Sequence, residues 1–76
     1  MKDLIEYVVK FIARNPNDVK VTELTQDDGS LLFQLEVAED DKGRVIGRQG
    51  RVAQSIRLLM RVIAVKQGKR ATLEII

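Results

Sequence analysis

Val45-Ile46-Gly47-Arg48-Gln49-Gly50-Arg51 is the segment on which the reading of this chain turns: two β-branched residues, a G-x-x-G turn, and then directly an amphipathic run that ends near Gln67. Glycines at this spacing let backbone N–H groups come close to an anion. The surroundings are basic. From Lys42 to Arg70 the chain carries nine cations (Lys42, Arg44, Arg48, Arg51, Arg57, Arg61, Lys66, Lys69 and Arg70) and no Asp or Glu. The first 41 residues carry four cations against ten acids, a net −6, and the remaining 35 carry nine cations against Glu74, a net +8. The overall +2 hides this division, which points to a polyanionic partner.

In all, 76 residues make one domain, and a domain of this size buries only about 60% of the surface its unfolded chain exposes. The chain has no Cys and no His, so disulfides, the usual zinc sites and the Ser-His and Cys-His catalytic pairs are excluded. No metal and no cofactor is expected. No apolar run approaches the length of a membrane span. Asp3 and Glu6 interrupt the apolar segment at the N-terminus, which does not read as a secretory signal. The expectation is a cytoplasmic protein.

Leu4, Val8, Phe11 and Ile12 recur at helical spacing, with Asp3 and Glu6 in the first turn, where negative charge suits the helix dipole. Asn15-Pro16-Asn17 ends that helix. Val19, Val21 and Glu23 alternate with Lys20, Thr22 and Leu24, and Leu31, Phe33, Leu35 and Val37 alternate with Leu32, Gln34, Glu36 and Ala38. Both segments read as strands with one apolar face. Asp28-Gly29 between them predicts a hairpin. Glu39-Asp40-Asp41-Lys42-Gly43 reads as a charged loop, Arg44 to Ile46 as a short helical turn, and Arg51 to Gln67 as a long helix that Gly68 stops. Ala71, Leu73 and Ile75 alternate with Thr72, Glu74 and Ile76 as a third strand. The fold class is α+β, in the order αββααβ, with helices packed on one face of a three-stranded sheet.

A bare G-x-x-G is a weak signal. Here Gly47 and Gly50 can take positive φ and carry no Cβ to hold a ligand away, and the following helix offers its free N–H groups. Arg48 and Gln49 at the tip add a charge and a neutral amide donor, with Arg44, Arg51 and Lys42 flanking. The plainer reading makes Gly47 a helix C-cap and Gly50 a turn residue between two packed helices. The P-loop and the dinucleotide fingerprint are ruled out, since Gly43, Gly47 and Gly50 are wrongly spaced and no Lys-Ser or Lys-Thr pair follows.

Val45-Ile46-Gly47-Arg48-Gln49-Gly50, followed by apolar Ala53 and Ile56, resembles the core signature of the KH domain, a single-stranded RNA-binding module. The helix and strand that precede the motif resemble the bacterial type II arrangement. Length and coverage of residues 1–76 resemble the small stand-alone bacterial KH proteins of the KhpA family. The resemblance implies a type II KH-like fold in which Gly47, Arg48, Gln49 and Gly50 clamp the backbone of about four nucleotides, with Ile46 lining the groove floor. Ala53 is smaller than the aliphatic residue usual there, which either widens the groove or fits a tighter core. The family also implies a homodimer, or a heterodimer with a larger Jag-type KH protein. Its implied role is post-transcriptional control or RNA chaperoning connected to cell elongation and division.

Tyr7, Phe11 and Phe33 are the only aromatic residues, and both phenylalanines fall on predicted core faces, so base contacts are expected to be aliphatic. Arg57 and Arg61, four apart, either extend the phosphate track or are solvated. Lys69 and Arg70 suit solubility or the helix C-terminus. The acidic hairpin tip Asp27-Asp28 would weaken binding if it faced the groove. On the long helix Ala53, Ile56, Met60, Ile63 and Ala64 form a stripe for the sheet, and Leu58, Val62 and Val65 form a second, with Leu59 between them. Either the N-terminal helix or a partner covers that second stripe. An enzyme is the weakest reading, because Glu36 and Asp41 lack partners at catalytic spacing. Two functions are therefore carried forward: a non-enzymatic RNA binder, and a protein-interaction adaptor acting through the second stripe. Single-stranded DNA is a further candidate ligand, since a clamp of this kind reads backbone.

Overall fold

Alternation at Leu31, Phe33 and Leu35 puts three apolar side chains on one face of a strand, and these residues occupy the middle of the sheet. The computed structural model describes residues Met1–Ile76. Its elements are α1 (Lys2–Ile12), β1 (Lys20–Thr25), β2 (Leu31–Glu36), α2 (Lys42–Ile46), α3 (Arg51–Lys66) and β3 (Ala71–Ile75), with single 3-10 turns at Pro16–Asp18, Glu39–Asp41 and Arg48–Gly50. The sheet order is β1-β2-β3. β2 pairs antiparallel with β1 and parallel with β3, in a register that sets Phe33 opposite both Glu23 and Leu73. This is the α+β, KH-like order expected, and the sheet is mixed. A parallel pair needs a long crossover, and the segment that crosses from β2 to β3 carries both α2 and α3.

Phe33, Leu35, Val9 and Val45 are fully buried, joined in one core by Ile5, Ile56, Met60 and Leu73. Helices thus cover one sheet face, while Lys20, Glu36, Thr72 and Glu74 face outward and are exposed. The hairpin turns at Gly29 (φ +85°), with the Gln26 N–H donating to Ser30 O. Gly68 (φ +69°) ends α3: its N–H donates to Val65 O, and the Lys69 N–H reaches back to Ala64 O, the paired bonds of a Schellman cap.

Two expectations need correction, and one open alternative is narrowed. The apolar stripe of α1 is wider than the sheet can cover, and the sheet takes Ile5 and Val9, leaving Leu4 39% and Phe11 78% exposed. Phe11 is therefore not a core residue. Three residues of the expected charged loop belong elsewhere: α2 begins at Lys42 rather than Arg44 and so takes in Lys42 and Gly43, and Asp41 is fully buried. Asp41 Oδ1 accepts the Arg14 N–H at 2.9 Å, and its Oδ2 accepts the Asn15 N–H at 2.9 Å and Asn15 Nδ2 at 3.0 Å. The chain leaving α1 is thereby fastened to the start of α2. Finally, α1 does not cover the second stripe of α3. It packs along Leu59 and Ile63, and Leu58, Val62 and Val65 stay 59%, 49% and 70% exposed.

The Arg14 N–H holds the Asp41 carboxyl below its usual range, assisted by both Asn15 donors and the Arg44 charge and opposed by burial. A carboxylate with a depressed folded pKa contributes stability that is complete above its unfolded pKa and is lost as pH falls through the folded value. Asn at this position keeps one acceptor oxygen and turns an NH2 toward backbone donors. Asp41→Asn is expected to lower the melting temperature at pH 7 by on the order of 10 °C. The gap to the native protein should narrow below about pH 4 as the native carboxyl protonates. Thermal melts at both pH values check this, and a gap that does not change with pH would remove the charge from the explanation.

Candidate nucleic-acid interface

Val45 anchors α2 in the core while its neighbour Ile46 is 41% exposed at the helix end. Gly47 follows with φ +78° and ψ 171°, a backbone region that only glycine occupies without large strain. Space makes the same demand. A Cβ on Gly47 would sit 2.5 Å from Val52 Cγ2, 2.8 Å from its Cβ and 2.9 Å from its backbone nitrogen. The turn is therefore folded tightly onto the first turn of α3. Gln49 (φ 58°, ψ 24°) and Gly50 (φ 73°, ψ 13°) are both left-handed, and these two consecutive residues swing the chain into α3. The Gly50 N–H donates to Gly47 O at 3.1 Å, closing the turn. Around Gly50 a Cβ would meet nothing within 4 Å, so its requirement is conformational alone.

Arg48 and Gln49 form the tip of this turn and Arg51 follows it, all three exposed; Arg44, one turn earlier on α2, is exposed too, and its charge also acts on Asp41. Arg51 Nη2 lies 3.4 Å from Gln49 Oε1, a long contact that leaves both groups free to take another partner. Lys42 differs, since its Nζ is paired with Glu39 at 3.1 Å. No acid lies in the first turn of α3, so the positive end of its dipole is unopposed. The arrangement has the chemistry of an anion seat: a close-approach turn, cations of free geometry and an unopposed helix terminus. Ala53 is almost fully buried, so its own side chain does not line an exposed groove.

A separate shallow cleft lies farther along α3. Arg57, Met60 and Arg61 form one wall and Ala71, Thr72 and Leu73 of the edge strand β3 the other. The two arginines thus stand on the β3 side of α3, whereas Leu58, Val62 and Val65 look outward. The acidic hairpin is elsewhere: Asp28 lines a depression with Val65, Gly68, Lys69 and Arg70 and stands 3.9 Å from Arg70 Nη2. Sixteen residues of α3 separate that end from the glycine turn, about 24 Å along the axis and well beyond the roughly 8 Å over which exposed charges act at physiological salt. The acidic tip therefore leaves the seat undisturbed. No group of three His, Cys, Asp or Glu residues is placed to hold a metal ion, and no helix is long and apolar enough to cross a membrane.

Two features are not visible from sequence spacing alone. Asp41 carries a signal, an acid immediately before a helix, but its partners belong to the end of α1 and spacing does not disclose them. Tyr7 and Phe11 carry one too, an i,i+4 aromatic pair, masked by the expectation that Phe11 points inward.

The sequence model for the family "KhpA/KhpB, KH domain" matches residues 2–75. "RNA-binding protein KhpA" of Clostridium acetobutylicum is 43% identical over 76 residues, covering the whole of both chains. The protein of that name from Caldanaerobacter subterraneus is 42% identical, again over the full length of both, and that of Aquifex aeolicus 37% identical over the whole of this chain and 95% of its own. Among solved structures, Era of Aquifex aeolicus bound to GDP.AlF4- and Era in complex with MgGDPNP and nucleotides 1506-1542 of 16S ribosomal RNA each superpose with a TM-score of 0.61 at 20% identity. They match 97% of this chain and only 28% of theirs, a likeness of fold alone. With the glycine turn in its helix-turn-helix setting, the αββααβ order around it and a family match from residue 2 to residue 75, the chain belongs to the KhpA/KhpB family of KH domains.

Proposed function

We propose that this protein is a non-enzymatic, single-stranded RNA-binding module whose clamp is the turn Gly47-Arg48-Gln49-Gly50, with Ile46 on the groove floor and Arg44 and Arg51 beside it. One observation carries the reading: Gly47 is held where a side chain cannot fit, against the start of an acid-free helix. Relatives named RNA-binding protein support RNA as the polyanion. Fluorescence anisotropy with a labelled single-stranded RNA pool at two salt concentrations tests it. Binding should weaken with salt and be lost in Arg48→Asp/Gln49→Asp, and equal binding by that variant would dismiss the clamp. A single-stranded DNA pool run alongside reports how far the sugar matters.

The cleft between α3 and β3 extends the proposed path for the strand, with Arg57 and Arg61 as its basic wall. Removing one cation that touches a phosphate of a single strand should reduce the salt slope by about 0.7. Arg57→Ala/Arg61→Ala is therefore expected to flatten the log K against log salt plot by about 1.4 if both touch phosphate. An unchanged slope would return both residues to the solvent.

The exposed stripe Leu58-Val62-Val65, with Leu59 at its edge, supports a second surface for a partner, either another copy of the chain or a larger Jag-type KH protein. Apolar side chains grouped on one exposed helix face are the usual mark of such a contact. Within this reading the protein is a cytoplasmic regulator or RNA chaperone acting after transcription, in processes connected to cell elongation and division. Val62→Asp should weaken association by at least about tenfold in sedimentation experiments while leaving the fold of the single chain intact, since Val62 is half exposed there; the melt should fall only as far as self-association had raised it. Should Val62→Asp remove cellular activity while Arg48→Asp/Gln49→Asp leaves it intact, the adaptor reading replaces the RNA reading.

A further inference from the structure

We propose that the outer face of α1 is a separate binding site for an arginine-bearing apolar segment of another protein, with Tyr7 and Phe11 as its platform. Their rings stack with centroids 5.0 Å apart and planes inclined by 28°. Tyr7 is 53% and Phe11 78% exposed, so two of the three aromatic side chains in the molecule stand in water and contribute little to the core. The i,i+4 spacing on a regular helix holds the pair in register, so little side-chain freedom remains to be lost when something binds.

The charges around the rings select the occupant. Asp3, Glu6 and Lys10 share one shallow depression with the two aromatics. Lys10 Nζ is 3.0 Å from Glu6 Oε1, which leaves Asp3 as the carboxylate at the rim without an ion pair. An aromatic face beside a carboxylate suits a guanidinium, which lies flat on the ring and directs its N–H groups to the acid. The apolar ring edges suit an adjoining aliphatic residue. A nucleic acid is disfavoured, because stacking platforms for bases work within a positive groove that tracks the phosphates, and this face carries the opposite sign. Neither ring lines the Arg57 and Arg61 cleft, so the site is separate from the proposed RNA path.

The test uses the full chain, uniformly labelled for amide NMR, titrated with a short peptide alternating Leu and Arg and with its counterpart alternating Leu and Glu. Shifts should centre on Tyr7 and Phe11 for the Arg peptide and be absent for the Glu peptide. The Tyr7→Ala/Phe11→Ala variant, whose changed side chains are exposed, should keep its fold and its RNA binding while losing at least about tenfold in peptide affinity. Failure of the Arg peptide to bind, equal binding of the Glu peptide, or undiminished binding by the variant would overturn the assignment. So would shifts confined to Leu58, Val62 and Val65. Shifts on α1 caused by single-stranded RNA would make the rings a base platform instead. A change in sedimentation of the variant alone would make the occupant a second copy. Either result rejects the proposed partner.

Discussion

Gly47→Ala is expected to lower the melting temperature by on the order of 10–30 °C, the largest stability loss of any single methyl addition in the glycine turn. Two costs combine. The backbone at φ +78° and ψ 171° lies in a region that costs a side-chain-bearing residue about 1–3 kcal/mol. The added Cβ would also meet the Val52 backbone nitrogen at 2.9 Å, and a backbone atom in the first turn of α3 cannot move aside as a rotamer does. Relieving that overlap shifts α3 or the turn, at about another 1–3 kcal/mol. A chain of 76 residues has a total stability of roughly 4–11 kcal/mol, so the loss is a large share of it. Gly50→Ala provides the contrast: no atom lies within 4 Å of its Cβ position, and the left-handed backbone alone costs about 1–2 kcal/mol. Circular-dichroism melts of the two variants should differ clearly. Equal melts would mean that the turn does not press on Val52.

Arg48→Asp/Gln49→Asp is expected to reduce RNA affinity by about a hundredfold or more at moderate salt while leaving the melt nearly unchanged. The substitutions alter the charge at the tip by −3: Arg48 changes from +1 to −1 and Gln49 from 0 to −1. Neither side chain is buried, so no core packing is removed. Gln49 has φ 58° and ψ 24°, and Asp tolerates the left-handed region better than most residues do. The variant therefore separates binding from folding in a way that Gly47→Ala cannot. Anisotropy at two salt concentrations reads the affinity, and a melt on the same preparation confirms the fold. Loss of binding together with loss of the fold would leave the clamp without support.

Much of the architecture is legible in local pattern. Alternation places Phe33, Leu35 and Leu73 on apolar strand faces, and all three are buried. Gly68 reads as the stop of the long helix, and it forms the cap there. Spacing and the basic run around it locate the glycine turn. Phe11 misleads because a helix stripe wider than its contact leaves open which edge is buried, and that choice is made by the sheet beneath. Asp41 misleads for a related reason: an acid within an acidic run looks solvated until the backbone of Arg14 and Asn15 arrives from 27 and 26 residues away.

Periodicity and composition suffice for the order of elements, the place of the turn, the division of charge and the existence of a second apolar stripe, because these are properties of neighbours along the chain. Other features come from packing between elements. Val52 closes the space over Gly47, Arg57 and Arg61 flank a cleft against β3, the acidic hairpin sits at the far end of α3, and Tyr7 and Phe11 stand together in water. Each of these depends on which face one element turns toward another. That is settled by contacts between residues distant in sequence, where the burial of one edge of a helix leaves the other edge free to bind.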